Sequence, residues 1–184
     1  DNTVYAGSVG LTFWWVGTWS NHPIDVTPPT IVKDLHVWHM AANGIYGYQS
    51  CNVTVDGFVC LGDAGVLAAS ELEGIWFSDY YAKGFKLINA DIQNCHHGVW
   101  VTPFCDGDFV IENTKLVNVQ NVYATTLAAP GSSPDGHTMP ARNVIMRNVV
   151  FGAPAAIAGQ HYDVYLEFSD GMGDANFVQS DTFK

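Results

Sequence analysis

Positive charge is what this sequence has least of: seven Lys and Arg stand against eighteen Asp and Glu, a formal net charge of −11. With no basic stripe to neutralise phosphates, nucleic acid is excluded as a partner and an anionic membrane surface is disfavoured. Charge of either sign is scarce, at 14% of the chain. Long apolar runs are missing as well. Gly, Asn or Asp interrupts each one well before the roughly 18 residues a membrane-spanning helix requires, so no membrane insertion is expected. Cysteine is limited to Cys51, Cys60, Cys95 and Cys105, without a CxxC or zinc-type spacing. Two short-loop disulfides, Cys51–Cys60 and Cys95–Cys105, are one expectation; free buried thiols are the other.

Aromatic side chains are plentiful instead, at 13% of 184 residues with six Trp and eight Tyr. Large amphipathic rings and little charge suit neutral or weakly charged ligands. The length is that of one domain with a sizeable core.

Internal similarity is the strongest signal. Five segments superpose: Ile31–Val37, Val53–Val59, Lys86–Ile92, Val110–Leu116 and Ile145–Phe151. Each carries Asn or Asp three residues in (Asp34, Asp56, Asn89, Asn113, Asn148) and an apolar residue six residues in. Their starts are 22, 33, 24 and 35 residues apart, so two coils are short and two hold insertions. Asn and Asp tolerate left-handed backbone and bond their own neighbouring main chain, so each segment reads as strand, sharp turn, strand. Stacking such coils about 4.8 Å apart lines the turn residues up in a ladder. Asp91 and Lys115, both five residues into adjacent coils, are expected to form a cross-strand ion pair. A further strand follows each turn: residues 44–48, 65–69, 98–102 and 121–125. Alternation there puts Ile45, Val66, Val99 and Val122 inside and Tyr46, Leu67, Trp100 and Tyr123 outside. The predicted fold is all-β, a single-stranded parallel β-helix (β-solenoid) with inserted loops. It comprises one domain over 1–184: a cap or incomplete coil at 1–30, repeat coils at 31–170 with insertions near 70–84 and 126–140, and an end segment at 171–184. Trp76 falls in the first insertion.

Short strands punctuated by Asn/Asp turns, as in Val32–His39, Asn52–Phe58 and Asn143–Val150, resemble the pectate-lyase-like superfamily of right-handed parallel β-helix proteins. They look especially like β-helix regions of large extracellular bacterial proteins and of G8-domain proteins. The resemblance spans roughly residues 31–170 and implies right-handed coiling, a secreted or cell-surface location and an acidic polysaccharide, cleaved or bound, as the substrate class. It does not extend to catalytic motifs. The Asn-Thr-Asp, Asp-Asp, Gly-His-Gly and Arg-Ile-Lys motifs of polygalacturonase-type hydrolases are absent, and Arg142 and Arg147 are the only arginines, too few for the basic site of a pectate lyase.

Candidate sites follow from this register. Tyr46, Trp100 and Tyr123 on the outward column, with Trp76 from the insertion, form an aromatic carbohydrate-binding surface. Asp63 and His96, ten residues beyond their coil starts, form an acid–base pair in one column with Gln120. Asp106 and Asp108, with parity that shares a face, are a calcium candidate. His36 and His39 offer soft-metal donors, but strand alternation points them apart. The expected function is a non-catalytic module presenting an aromatic, acidic surface for carbohydrate binding or extracellular assembly. Part of a polysaccharide lyase or glycoside hydrolase is the first alternative and a pure scaffold the second. Open solenoid ends invite a neighbouring chain or further domain.

Overall fold

A computed structural model describes residues 2–5, 9–14, 29–39, 42–48, 50–62, 73–78, 83–101, 106–119, 121–127, 142–152, 162–168 and 181–183. Within them all regular structure is strand and every pairing is parallel. Among the described residues no helix is long and apolar enough to cross a membrane. The first coil supplies β1 (Asn2–Tyr5) and β2 (Val9–Trp14). Three coils then supply three strands each: β3 (Thr30–Lys33), β4 (Leu35–Trp38) and β5 (Asn43–Tyr48); β6 (Cys51–Asp56), β7 (Val59–Leu61) and β8 (Glu73–Ser78); β9 (Lys83–Ile88), β10 (Asp91–Gln93) and β11 (His97–Val101). In the next two coils the first two strands run together as β12 (Asp106–Val117) and β14 (Arg142–Gly152), followed by β13 (Asn121–Leu127) and β15 (Tyr162–Phe168); β16 (Asp181–Phe183) pairs with β14.

Stacked coils make two sheets. One runs β1-β4-β7-β10-β12-β9-β6-β3 with β14 and β16 added, and the other runs β15-β13-β11-β8-β5-β2. This is a right-handed parallel β-helix. Inward columns build the core, among them Val53, Phe85, Phe109 and Val144; Val32, Val55, Leu87, Ile111 and Met146; Val37, Cys60, Ile92 and Leu116; and Leu11, Ile45, Ile75 and Val99. Each apolar side chain meets its equivalent one coil away, about 4.8 Å along the axis.

Left-handed residues make the corners. Asp34, Gly57, Asn89, Asn113 and Asn148 take φ of 52°, 76°, 55°, 49° and 50° at the first corner. The segments starting at 31, 86, 110 and 145 lie in the expected register, but Thr54 rather than Val53 joins them. Gly57 takes the left-handed position that Asp56 was expected to fill, since glycine adopts positive φ without a Cβ clash. Asp56 still joins the ladder from one residue away, accepting from Asn89 Nδ2 at 2.8 Å. A second corner, unforeseen in the sequence, is formed by His39, Gly62, Asn94 and Asn118. Its three non-glycine members have φ of 55°, 60° and 55°. Asp91 and Lys115 pair as expected, with Nζ to Oδ2 at 3.4 Å.

Two expectations need correction. The strand predicted at 65–69 lies outside the described residues, and Glu73–Ser78, assigned to an insertion, is the strand that continues the sheet between β5 and β11. Nor do the short-loop disulfides form. Cys60 and Cys95 both face the core from adjacent coils as free thiols, with Sγ atoms 4.0 Å apart. The hydrogen bond to Cys60, and then burial, raise the Cys95 pKa well above the ordinary thiol range.

Candidate functional site

Strands β5, β8 and β11 repeat a short motif: Asn43-Gly-Ile-Tyr46, Glu73-Gly-Ile-Trp76 and His97-Gly-Val-Trp100. The glycines have a steric reason. A Cβ on Gly74 would stand 2.6 Å from the Gly98 carbonyl oxygen and 2.7 Å from Ile92 Cγ2, and one on Gly44 would stand 2.6 Å from the Gly74 oxygen and 2.8 Å from Cys60 Sγ. The glycine position therefore faces the core, and so does the aliphatic residue after it. Two consecutive inward positions require a bend. On a regular strand residues 97 and 100 would lie on opposite faces; here the His97 and Trp100 rings stack, with centroids 5.0 Å apart and planes at 29°.

That bend puts a polar column beside an aromatic one. Register aligns Asn43, Glu73, His97 and Asn121 across the sheet, and next to them Tyr46, Trp76, Trp100 and Ala124. Trp76 and Trp100 stack at 4.9 Å with planes 9° apart, and Tyr46 meets Trp76 edge-on at 5.2 Å. The stacking distance matches the coil spacing, so the indoles pile up along the solenoid axis. The facing surfaces of the two indoles therefore cover each other.

Glu73 is the centre of the polar column and is only 2% exposed. Its Oε2 accepts from the His97 backbone N–H at 3.1 Å and lies 2.6 Å from His97 Nδ1. A carboxylate accepting at that distance holds the imidazole in one orientation. Its Oε1 is buried without a hydrogen-bond partner, 3.6 Å from Nδ1 of His96, whose side chain is 28% exposed. The two imidazoles meet edge to face, centroids 4.1 Å apart. One donor atom from each of Glu73, His96 and His97 lies within 4.8 Å of the others, so the three could hold a metal ion. Two more buried atoms of this face lack partners: Asn43 Oδ1 and Trp76 Nε1. Buried polar groups are normally satisfied, so a cluster of exceptions on one face is consistent with a functional surface.

Of the residues expected from sequence, Tyr46, Trp76, Trp100 and His96 are brought together here. Tyr123 is in register with Val99, and Ala124 takes the place opposite Trp100. Asp63 and Gln120 lie outside the described residues. Asp106 and Asp108 sit at the start of β12, where the register with β9 shifts, and Asp108 is exposed. Glu73 and His97 were not foreseen. The Gly-Ile/Val-aromatic triplet at 44–46, 74–76 and 98–100 was the signal that would have found them, because it aligns both residues in the position before glycine.

Fold and site thus define a parallel β-helix with a polar–aromatic strip on one sheet. Comparison with protein-family profiles, with curated proteins and with solved structures gives no match.

Proposed function

We propose that the chain is a secreted or cell-surface β-helix module that binds carbohydrate along the strip of Tyr46, Trp76 and Trp100. The observation that carries this reading is the in-register run of three half-buried aromatic rings on consecutive coils. Such a run supplies apolar ring surface beside the polar column of Asn43, Glu73 and His97, and a hydroxyl-bearing chain with apolar C–H patches complements that combination. The net charge of −11 favours a neutral or weakly charged glycan over a polyanion.

Titration of neutral and uronic-acid oligosaccharides, followed by tryptophan fluorescence, tests the proposal. Saturable binding weakened at least about tenfold by Trp100→Ala supports it. Absence of binding to either series contradicts it. The buried Glu73–His97 pair favours a second reading, acid–base cleavage of the same ligand. Reducing-end or unsaturated product formed by the wild-type chain and abolished by Glu73→Gln would replace binding with catalysis.

A further inference from the structure

We propose that Glu73, His96 and His97 bind one divalent transition-metal ion of the zinc type. The inference is independent of the carbohydrate reading, because it rests on the donors and not on the aromatic strip.

Three features carry it. The donor atoms of the three residues converge within 4.8 Å from two adjacent coils, fixed by the pairing of His97 with Glu73. The two oxygens of Glu73 are used differently. Oε2 accepts from the His97 backbone N–H; on metal binding His97 Nδ1, now 2.6 Å from Oε2, exchanges that contact and its proton for the ion. The buried Oε1 has no hydrogen-bond partner. A buried carboxylate oxygen left so is costly unless a cation or donor completes it. Finally, Oε1 and His96 Nδ1 are 3.6 Å apart. Donors on a tetrahedral ion at about 2.0–2.1 Å stand about 3.4 Å from each other, so these two reach one ion with little movement.

Donor chemistry selects the class of ion. Two imidazoles and one carboxylate suit zinc, cobalt or copper, whereas calcium and magnesium demand oxygen shells. Calcium, expected from sequence at Asp106 and Asp108, is not the ion for this cluster. Three protein donors leave a fourth position for water or for a ligand oxygen, as in open zinc sites.

The experiment is a titration of the chelator-treated chain with Co(II), followed by its visible absorption bands, with Zn(II) as competitor. One equivalent of Co(II) is expected to bind with tetrahedral-type bands and to be displaced by Zn(II). His96→Ala, at a partly exposed position where the fold tolerates truncation, should weaken binding by at least the roughly tenfold that even outer-shell changes produce. Glu73→Gln keeps the shape of the side chain and should weaken it further. Failure of Co(II) to bind saturably, or binding unchanged in a folded His96→Ala chain, overturns the proposal. Oligosaccharide affinity plays no part in either outcome, so this site and the carbohydrate reading fail separately.

Discussion

Polar residues stack along the solenoid axis in two settings, at the two corners and on the sheet of β5, β8 and β11. At the corners four amides are used by a neighbouring coil. Asn89 Nδ2 donates to Asp56, Asn148 Nδ2 to Asn113 Oδ1, Asn94 Nδ2 to the Gly62 carbonyl and Asn118 Nδ2 to Asn94 Oδ1. On the sheet, Asn43 Oδ1, Glu73 Oε1 and Trp76 Nε1 are buried without partners. Among the described residues the corners keep their buried side-chain atoms paired, apart from Asn118 Oδ1. The sheet stack does not. Repetition of polar residues in this solenoid therefore has two proposed meanings: a satisfied ladder holds the coils, and an unsatisfied one, on the reading proposed above, takes a ligand.

Substitutions separate the two meanings. The largest effect belongs to neither stack: Ile111→Ala, in the fully buried column, should destabilise by about 2–5 kcal/mol and lower the denaturant midpoint. Gly74→Ala should cost about 1–3 kcal/mol, since its Cβ must push aside the Gly98 carbonyl and Ile92. It should also spoil Co(II) binding, because the bend at Gly74 sets Glu73 beside the strip. At the corners Asn113→Ala should lose about 1–2 kcal/mol from forcing a Cβ-bearing residue without amide compensation into left-handed backbone. Co(II) affinity should stay unchanged there. An Asn113→Ala chain that folds normally but binds less metal would break the distinction.

Smaller effects sharpen it. The folded pKa of Cys95 is raised above its unfolded value, so any stability linked to it is fully present below the ordinary thiol range and is lost as pH rises through and beyond that range. Alkylation of Cys95 at mildly alkaline pH should then require unfolding, and rapid modification of the folded chain would contradict its burial against Cys60. Lys115→Ala should change stability by no more than about 0.5 kcal/mol, as its partner Asp91 is part-exposed and the pair is screened by water.

The sequence disclosed the corners better than the sheet, for a physical reason. Left-handed turns admit few residue types, so Asp34, Asn89, Asn113 and Asn148 stand out in chain order, and the Asp91–Lys115 pair follows from their register. Only Gly57 beside Asp56 offered two choices and misled by one residue. On the sheet, an inward small or aliphatic residue after glycine is common, and Gly65-Val66 satisfied that pattern as well as Gly74-Ile75 does. Choosing the former placed Glu73 and Trp76 in an insertion and left His96 without its carboxylate. The second corner was missed because His39, Asn94 and Asn118 share a left-handed conformation and not a residue type, and Gly62 joins them only through its backbone hydrogen bond.

Glu73→Gln tests the contrast between the stacks most directly, with folding stability and Co(II) affinity measured on the same variant. Glutamine can keep an oxygen toward His97 while removing the charge held at Oε1. The expected result is a chain as stable as the parent, or slightly more so, that no longer binds the metal. A loss of about 2 kcal/mol or more in stability with metal affinity intact would show that Glu73 holds the coils together as the asparagines do.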